Sequence, residues 1–158
     1  MWRTMTRNAH DQLRSPRLKI SFSPEAHPAP ADFGVCIKFS GMDAFPEFMK
    51  NLANRIARSN QATPGVEGYV FDGADESQMT FWTCTQTANS AEHVHAFDEY
   101  MLVVQGCYTL LIDGRRIPVK AGEEFLIPRG VRHGGEVLAG TRTIYVFGGH
   151  RADREQQP

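Results

Sequence analysis

Four side chains in the second half of the sequence have the types and spacing to hold a divalent transition metal: His93, His95, Glu99 and His133. His93 and His95 are two apart in the stretch EHVHAFDEYMLVVQG, Glu92 to Gly106. Residues two apart on a β-strand share a face, so a strand here would point both imidazoles the same way. Glu99 follows four residues after His95, and Gly106 closes the apolar run YMLVV, which reads as a strand ending in a turn. A second stretch, GEEFLIPRGVRH from Gly122 to His133, reads as a strand, a Pro-Arg-Gly turn and the third histidine. Imidazole suits Fe, Ni, Cu and Zn, and a carboxylate adds charge and tolerance for Mn. The expected cofactor is therefore one divalent ion, Fe, Mn, Ni or Zn, with His93, His95, Glu99 and His133 as ligands. An octahedral ion would keep its remaining positions open to water, substrate or dioxygen. The alternative for the same residues is an empty barrel with surviving histidines.

These stretches resemble the two signature motifs of the cupin superfamily. The first motif is Gly, five residues, His-x-His, three or four residues, Glu, six residues, Gly. His93, His95, Glu99 and Gly106 fit it, and Thr87 replaces the leading Gly. The second is Gly, five residues, Pro-x-Gly, two residues, His, three residues, Asn. Gly122, Pro128, Gly130 and His133 fit it, and Val137 replaces the closing Asn. Fifteen residues, Cys107 to Ala121, separate the motifs, as in compact one-barrel members. The resemblance implies an all-β fold, a double-stranded β-helix or jelly-roll barrel, and a homodimer. It does not choose a reaction, because the superfamily hosts dioxygenases, isomerases, epimerases, lyases, decarboxylases and non-catalytic binders.

The elements that must position these residues follow from the rest of the chain. At 158 residues the sequence suits one domain with a substantial core. A formal net charge of −1 gives no electrostatic case for nucleic acid or a membrane surface. No apolar run is long enough to span a bilayer. The N-terminus MWRTMTRNAHDQLRS has no apolar core and does not read as a secretory signal. Cys36, Cys84 and Cys107 lack metal-type spacing and read as free thiols in a reducing compartment, so a cytoplasmic location is expected; a Cys84–Cys107 disulfide is the alternative.

Residues 1–32, broken by Pro16, Pro24, Pro28 and Pro30, read either as a partly extended arm, with Leu18, Ile20 and Phe22 alternating as a short strand, or as a mobile tail. Its His10 and His27 read as solvated. The barrel is expected over residues 33–150, opening on a strand at 33–39. Phe45, Phe48, Met49, Leu52 and Ile56 repeat at helical period, which predicts a helix over residues 43–58 with Lys50, Arg55 and Arg58 on its solvated face. Strands follow over 69–71, 79–86, 99–105, 108–112, 116–119, 123–127, 132–138 and 143–147, with Asp113-Gly114 as a hairpin turn. Residues 151–158 read as a polar, frayed tail.

Strand parity extends the site into a pocket. Met101, Val103 and Gln105 share a face with Glu99; Val131, Gly135 and Val137 share one with His133. The expected pocket is largely apolar, with Gln105 either orienting substrate or serving as a core amide. Tyr145 and Phe147 either line it or pack outside it. Arg129 and Arg132 flank the turn before His133, where they either meet a carboxylate or stay solvated. Two functions fit. One is a metal-dependent enzyme, of dioxygenase, isomerase or lyase type, acting on a small oxygen-rich molecule. In it Glu99 is a ligand that can also exchange its metal bond for a proton. The other is a non-catalytic, metal-supported binding protein for a small-molecule ligand.

Overall fold

The computed structural model describes residues 42–61 and 63–156. The arm over 1–32, the strand over 33–39, His10, His27 and Cys36 lie outside the described residues. The strands, in chain order, are β1 (Val66–Asp72), β2 (Gln78–Cys84), β3 (Ala88–His93), β4 (Glu99–Gln105), β5 (Cys107–Ile112), β6 (Arg115–Lys120), β7 (Glu124–Ile127), β8 (His133–Val137) and β9 (Arg142–Phe147). They form a five-stranded sheet, β1-β2-β9-β4-β7, and a four-stranded sheet, β3-β8-β5-β6. Every pairing is antiparallel. Apart from the β1–β2 and β5–β6 hairpins, successive strands switch sheets, as in a jelly roll. One apolar cluster joins Val70, Trp82, Met101, Val103, Tyr145 and Phe147 of the larger sheet to Leu110 and Val119 of the smaller one.

Two turns show how the sequence steers the chain, the first within a sheet and the second between sheets. Asp113 and Gly114 both have positive φ, 50° and 72°, which matches the right-handed twist of the strands they join. At Gly106, between β4 and β5, φ is +80° and an added Cβ would sit 2.8 Å from the Thr141 Cα. Only glycine fits there. Thr141 then ties the corner, its hydroxyl donating to the Cys107 carbonyl (3.1 Å) and accepting from the Cys107 amide (3.2 Å).

The helix expected over 43–58 is not formed. Three single turns of 3₁₀ helix stand in its place, at Glu47–Lys50, Leu52–Asn54 and Arg58–Asn60. Extended residues Asn51, Arg55 and Ala57 break the run, with ψ of 126°, 134° and 140°. The Asn51 side chain accepts from the Ala53 amide, which stabilises a break there. Sheet edges compete for the backbone: the Ile56 amide donates to the Gly68 carbonyl and the Ala57 amide to the Asp153 carbonyl. Of the apolar stripe, Phe45 and Ile56 are buried while Phe48 and Leu52 are exposed, so no continuous face packs on the barrel.

The tail is also not frayed as far as residue 156. Ala152 is in the core, Arg154 pairs with Asp72 (2.7 Å) and the Glu155 amide donates to the Arg55 carbonyl (2.8 Å). Buried Gln78 anchors it. The Gln78 carboxamide oxygen accepts from the Arg151 and Ala152 amides (2.6 and 2.9 Å), and its nitrogen donates to the Ala152 carbonyl (3.0 Å) and Asp72 (2.9 Å). Gln78→Leu leaves those backbone groups without a partner. It is expected to cost about 3 kcal/mol in urea unfolding; a change below about 0.5 kcal/mol would show the clamp to be unimportant.

Cys84 and Cys107 are both buried, and the alternative disulfide between them is not formed. Burial pushes the Cys84 thiol up to about 11, which leaves it protonated and unreactive. No helix among the described residues is long and apolar enough to cross a membrane.

Candidate metal centre

His93 closes β3 and stands directly across from His133, the first residue of β8. His95 is not on the strand. It lies in the loop after β3, so shared strand parity is not what turns it inward. Aromatic packing holds it instead: its ring stacks on Phe97 (centroids 5.1 Å, planes 11° apart) and meets the edge of Phe147 at 5.7 Å. Glu99 is the first residue of β4, paired with Phe147 on one side and Ile127 on the other. The Pro128–Gly130 turn ties the two histidine loops together. The Gly130 amide donates to the His95 carbonyl (2.9 Å), and the Arg129 amide to the Asp98 carboxylate (2.8 Å).

One ligand atom from each of His93, His95, Glu99 and His133 lies within 4.8 Å of the others. Two of the histidines have their tautomers set by backbone carbonyls. His93 Nδ1 is 2.9 Å from the Ala91 carbonyl and His133 Nδ1 is 2.9 Å from the Val131 carbonyl. A carbonyl only accepts, so each Nδ1 carries the proton and each Nε2 keeps a lone pair in the neutral ring. Glu99 Oε2 lies 3.2 Å from both His95 Nε2 and His133 Nε2. Those distances suit ion pairs, yet neither contact has the direction of a hydrogen bond. All three atoms are buried without a hydrogen-bond partner.

Buried polar atoms without partners are expensive, and a cation at their focus resolves all three at once. Metal–ligand bonds of about 2.1 Å at right angles separate neighbouring ligand atoms by about 3 Å. The donors therefore fit a divalent transition ion in kind, number and spacing.

Electrostatics in the metal-free cluster divide the residues. Burial pushes Glu99 up, but the His133 and His95 imidazoles outweigh it and hold the carboxyl at about 2. Burial lowers both His93 and His133. For His133 the Glu99 carboxylate and the Val131 carbonyl reverse the sign and raise it; for His93, with Glu99 contributing least, burial prevails.

A cavity of about 420 Å³ opens beside the cluster. Trp82, Tyr108, Val137, Tyr145 and Phe147 supply its apolar and aromatic wall, and Ser90, Asn60, Gln61 and Arg151 its polar one. Tyr145 and Val137 thus face the cavity, as does Phe147. Met101 and Val103 do not: both are fully buried in the core. Parity gave them the right face but not the right depth, because β4 moves about 7 Å further from Glu99 with each pair of residues. Gln105 accepts from Arg142 (3.2 and 3.1 Å) at the far end of β4, next to a register shift, and does not line the cavity. Arg132 and Arg129 are exposed and stand outside the lining, and Val131 packs against the core.

Tyr108 and Arg151 were missed from sequence. Tyr108 enters because Gly135 leaves space for it; a Cβ at Gly135 would lie 2.2 Å from the Tyr108 hydroxyl. Alternation along β5, with Tyr108 in step with buried Leu110, was the available signal. Arg151 gave none, since a polar tail does not show where it docks.

The cupin-domain sequence profile matches residues 81–147, which hold all four donor residues. The barrel has the cupin fold. Solved cupins share its fold. An RmlC-like cupin from Shewanella frigidimarina matches with a TM-score of 0.53 at 21% identity, over 70% of this chain and 93% of that one. A cupin superfamily protein from Desulfitobacterium hafniense matches with a TM-score of 0.50 at 14% identity, over 53% of this chain and 77% of that one. A salicylate 1,2-dioxygenase from Pseudaminobacter salicylatoxidans matches with a TM-score of 0.51 at 13% identity, over 54% of this chain but 27% of that one. No curated protein matches the chain. At these identities the likeness is one of fold, and the chemistry of this barrel has to be argued from its own residues.

Proposed function

We propose that this cupin is a mononuclear-metal enzyme acting on a small oxygen-rich molecule that chelates the ion, with Fe, Mn, Ni or Zn as the native metal. The observation that carries this is the set of unpartnered buried donors on His95, Glu99 and His133 in the wall of a cavity of about 420 Å³. A bound divalent ion supplies Lewis acidity to a chelating pair of oxygens. Four protein donors leave room for such a pair, whereas a structural ion is closed off by protein.

The chain's own residues favour proton transfer, an isomerase or lyase type of reaction, over a purely oxidative one. Tyr108 and Tyr145 meet edge to face in the cavity wall, ring centroids 6.3 Å apart. Burial raises both phenols, Tyr145 strongly, so each holds its proton at neutral pH. Tyr108 Oη also lies 3.2 Å from Ser90 Oγ, which orients it. Trp82, Val137 and Phe147 keep water from the reacting atoms and strengthen each polar contact inside.

The competing reading is a metal-supported binding protein. One observation favours it: among the described residues, Glu99 is the only carboxylate lining the cavity. The deciding experiment screens keto acids, diols, catechols and sugar acids against protein loaded with Fe, Mn, Ni, Co or Zn. It follows solvent deuterium incorporation by NMR, and oxygen uptake. Deuterium exchange or isomerisation without oxygen uptake supports the proposal. Compounds that perturb the metal spectrum but are never changed with any metal establish the binding protein.

Homodimerisation and a cytoplasmic location belong to the same proposal. The supporting observations are the free thiol of Cys84, and the open outer edges of β6 and β7 among the described residues. Light scattering is expected to give a dimer mass at micromolar concentration. A monomer mass throughout, unchanged on deleting residues 1–32, removes the dimer.

A further inference from the structure

Arg151 is a cation built into the cavity wall with no carboxylate for a partner. Three arginines of the barrel have carboxylate partners, Arg55 with Glu67, Arg116 with Glu136 and Arg154 with Asp72, and buried Arg142 is held by the Gln105 amide oxygen. Among the described residues no carboxylate lies within ion-pair distance of Arg151. Its hydrogen bond from the guanidinium is a long one, 3.5 Å to the Asn60 carbonyl. The group instead lies over the Phe147 ring, 5.8 Å from the centroid, and that ring in turn meets His95 at 5.7 Å. The position is fixed at its root, because buried Gln78 accepts from the Arg151 amide (2.6 Å). Burial lowers the guanidinium pKa, opposed by the Glu99 carboxylate.

Charge counting gives the sign of the missing partner. With neutral imidazoles, ionised Glu99, protonated Arg151 and a divalent ion, the cavity wall carries a net positive charge, which an anionic ligand neutralises. The shape of the donor set gives its class. One planar guanidinium fork, with no lysine and no second arginine in the lining among the described residues, matches a planar carboxylate. A phosphate dianion would find one cationic side chain for its two charges.

Resting on the metal-enzyme reading above, we propose that Arg151 is the substrate's carboxylate subsite, so that the enzyme acts on a small acid. The acid's carboxylate lies on the guanidinium and its other oxygen donors reach the metal position.

The test uses cobalt-loaded protein and visible absorption titrations with hydroxamates. Acetohydroxamate chelates metal and has no second charge. Monohydroxamates of dicarboxylic acids, with spacers of increasing length, add a carboxylate; phosphonoacetohydroxamate adds a phosphonate. At the best spacer, the carboxylate probe is expected to bind wild type at least about tenfold tighter than acetohydroxamate. In Arg151→Gln that advantage should vanish while acetohydroxamate affinity stays unchanged, which also shows that the variant is folded. Arg151→Lys should keep part of it, since the charge remains and the fork is lost. No advantage at any spacer, an advantage that survives Arg151→Gln, or tighter binding of the phosphonate overturns the carboxylate subsite and leaves the metal-enzyme reading standing. Failure of acetohydroxamate itself to bind overturns that reading and the subsite with it.

Discussion

Purified without added metal, the protein should carry close to one divalent transition ion per chain, and the double variant His93→Ala, His133→Ala should carry none. Loss of partners outside a metal's own ligand set already costs about 10–100-fold in affinity. Removing two of four ligands should therefore cost more than about a hundredfold. The two histidines are the pair that joins β3 to β8 across the site, each with Nδ1 fixed by a carbonyl and Nε2 aimed at the focus. The stability readout has an informative sign. Metal at a thousand times its dissociation constant stabilises the native state by about 4 kcal/mol. Chelator should thus lower the melting temperature of wild type and leave the double variant unmoved. Metal content near zero in wild type, or equal content in the two proteins, would sink the assignment.

Glu99→Gln should keep the fold, weaken metal binding and abolish most turnover even at saturating metal. The amide matches the carboxylate in shape, so the packing of Glu99 between Phe147 and Ile127 survives. What is lost is the only negative charge facing the ion. Metal-free protein offers a test that needs no substrate. Glu99 is held at about 2 against an ordinary value of 4.5, so its contribution is present above pH 4.5 and is lost as pH falls toward 2. His133 is raised above its ordinary value of 6.5, so its contribution is complete below pH 6.5 and is lost as pH rises through the folded value. Chelator-treated wild type should therefore gain stability from this pair most fully between pH 4.5 and 6.5. Glu99→Gln should flatten that window. An unchanged pH profile would show that the carboxylate and the imidazoles do not interact.

The strands of the barrel were legible because β-branched and aromatic residues alternate between unmistakable turns such as Asp113-Gly114. All four donors were legible from motif spacing. β3 was not, since Ala-Asn-Ser-Ala-Glu-His is polar and pairing with β8 holds it in place. The helix failed because periodicity records which residues are apolar and not whether a surface exists to cover them; Phe48 and Leu52 found none. The pocket was half legible. Alternation assigns a residue to a face, so Tyr145 and Val137 stood out, but distance along the strand removed Met101 and Val103. Arg151 depends on a buried glutamine more than 70 residues earlier in the chain, a long-range contact that no local pattern announces.

The facing of His93 and His133 across β3 and β8 has a consequence for quality control. A slip of one residue between these strands would turn one imidazole out of the barrel, because side-chain direction alternates at every step. Pairing register and metal competence are therefore one variable. A slipped copy holds no ion, gains no ligand stabilisation and melts earlier, so metal supply during folding selects the correctly threaded chain. The metal content of a preparation then measures how much of it is correctly folded.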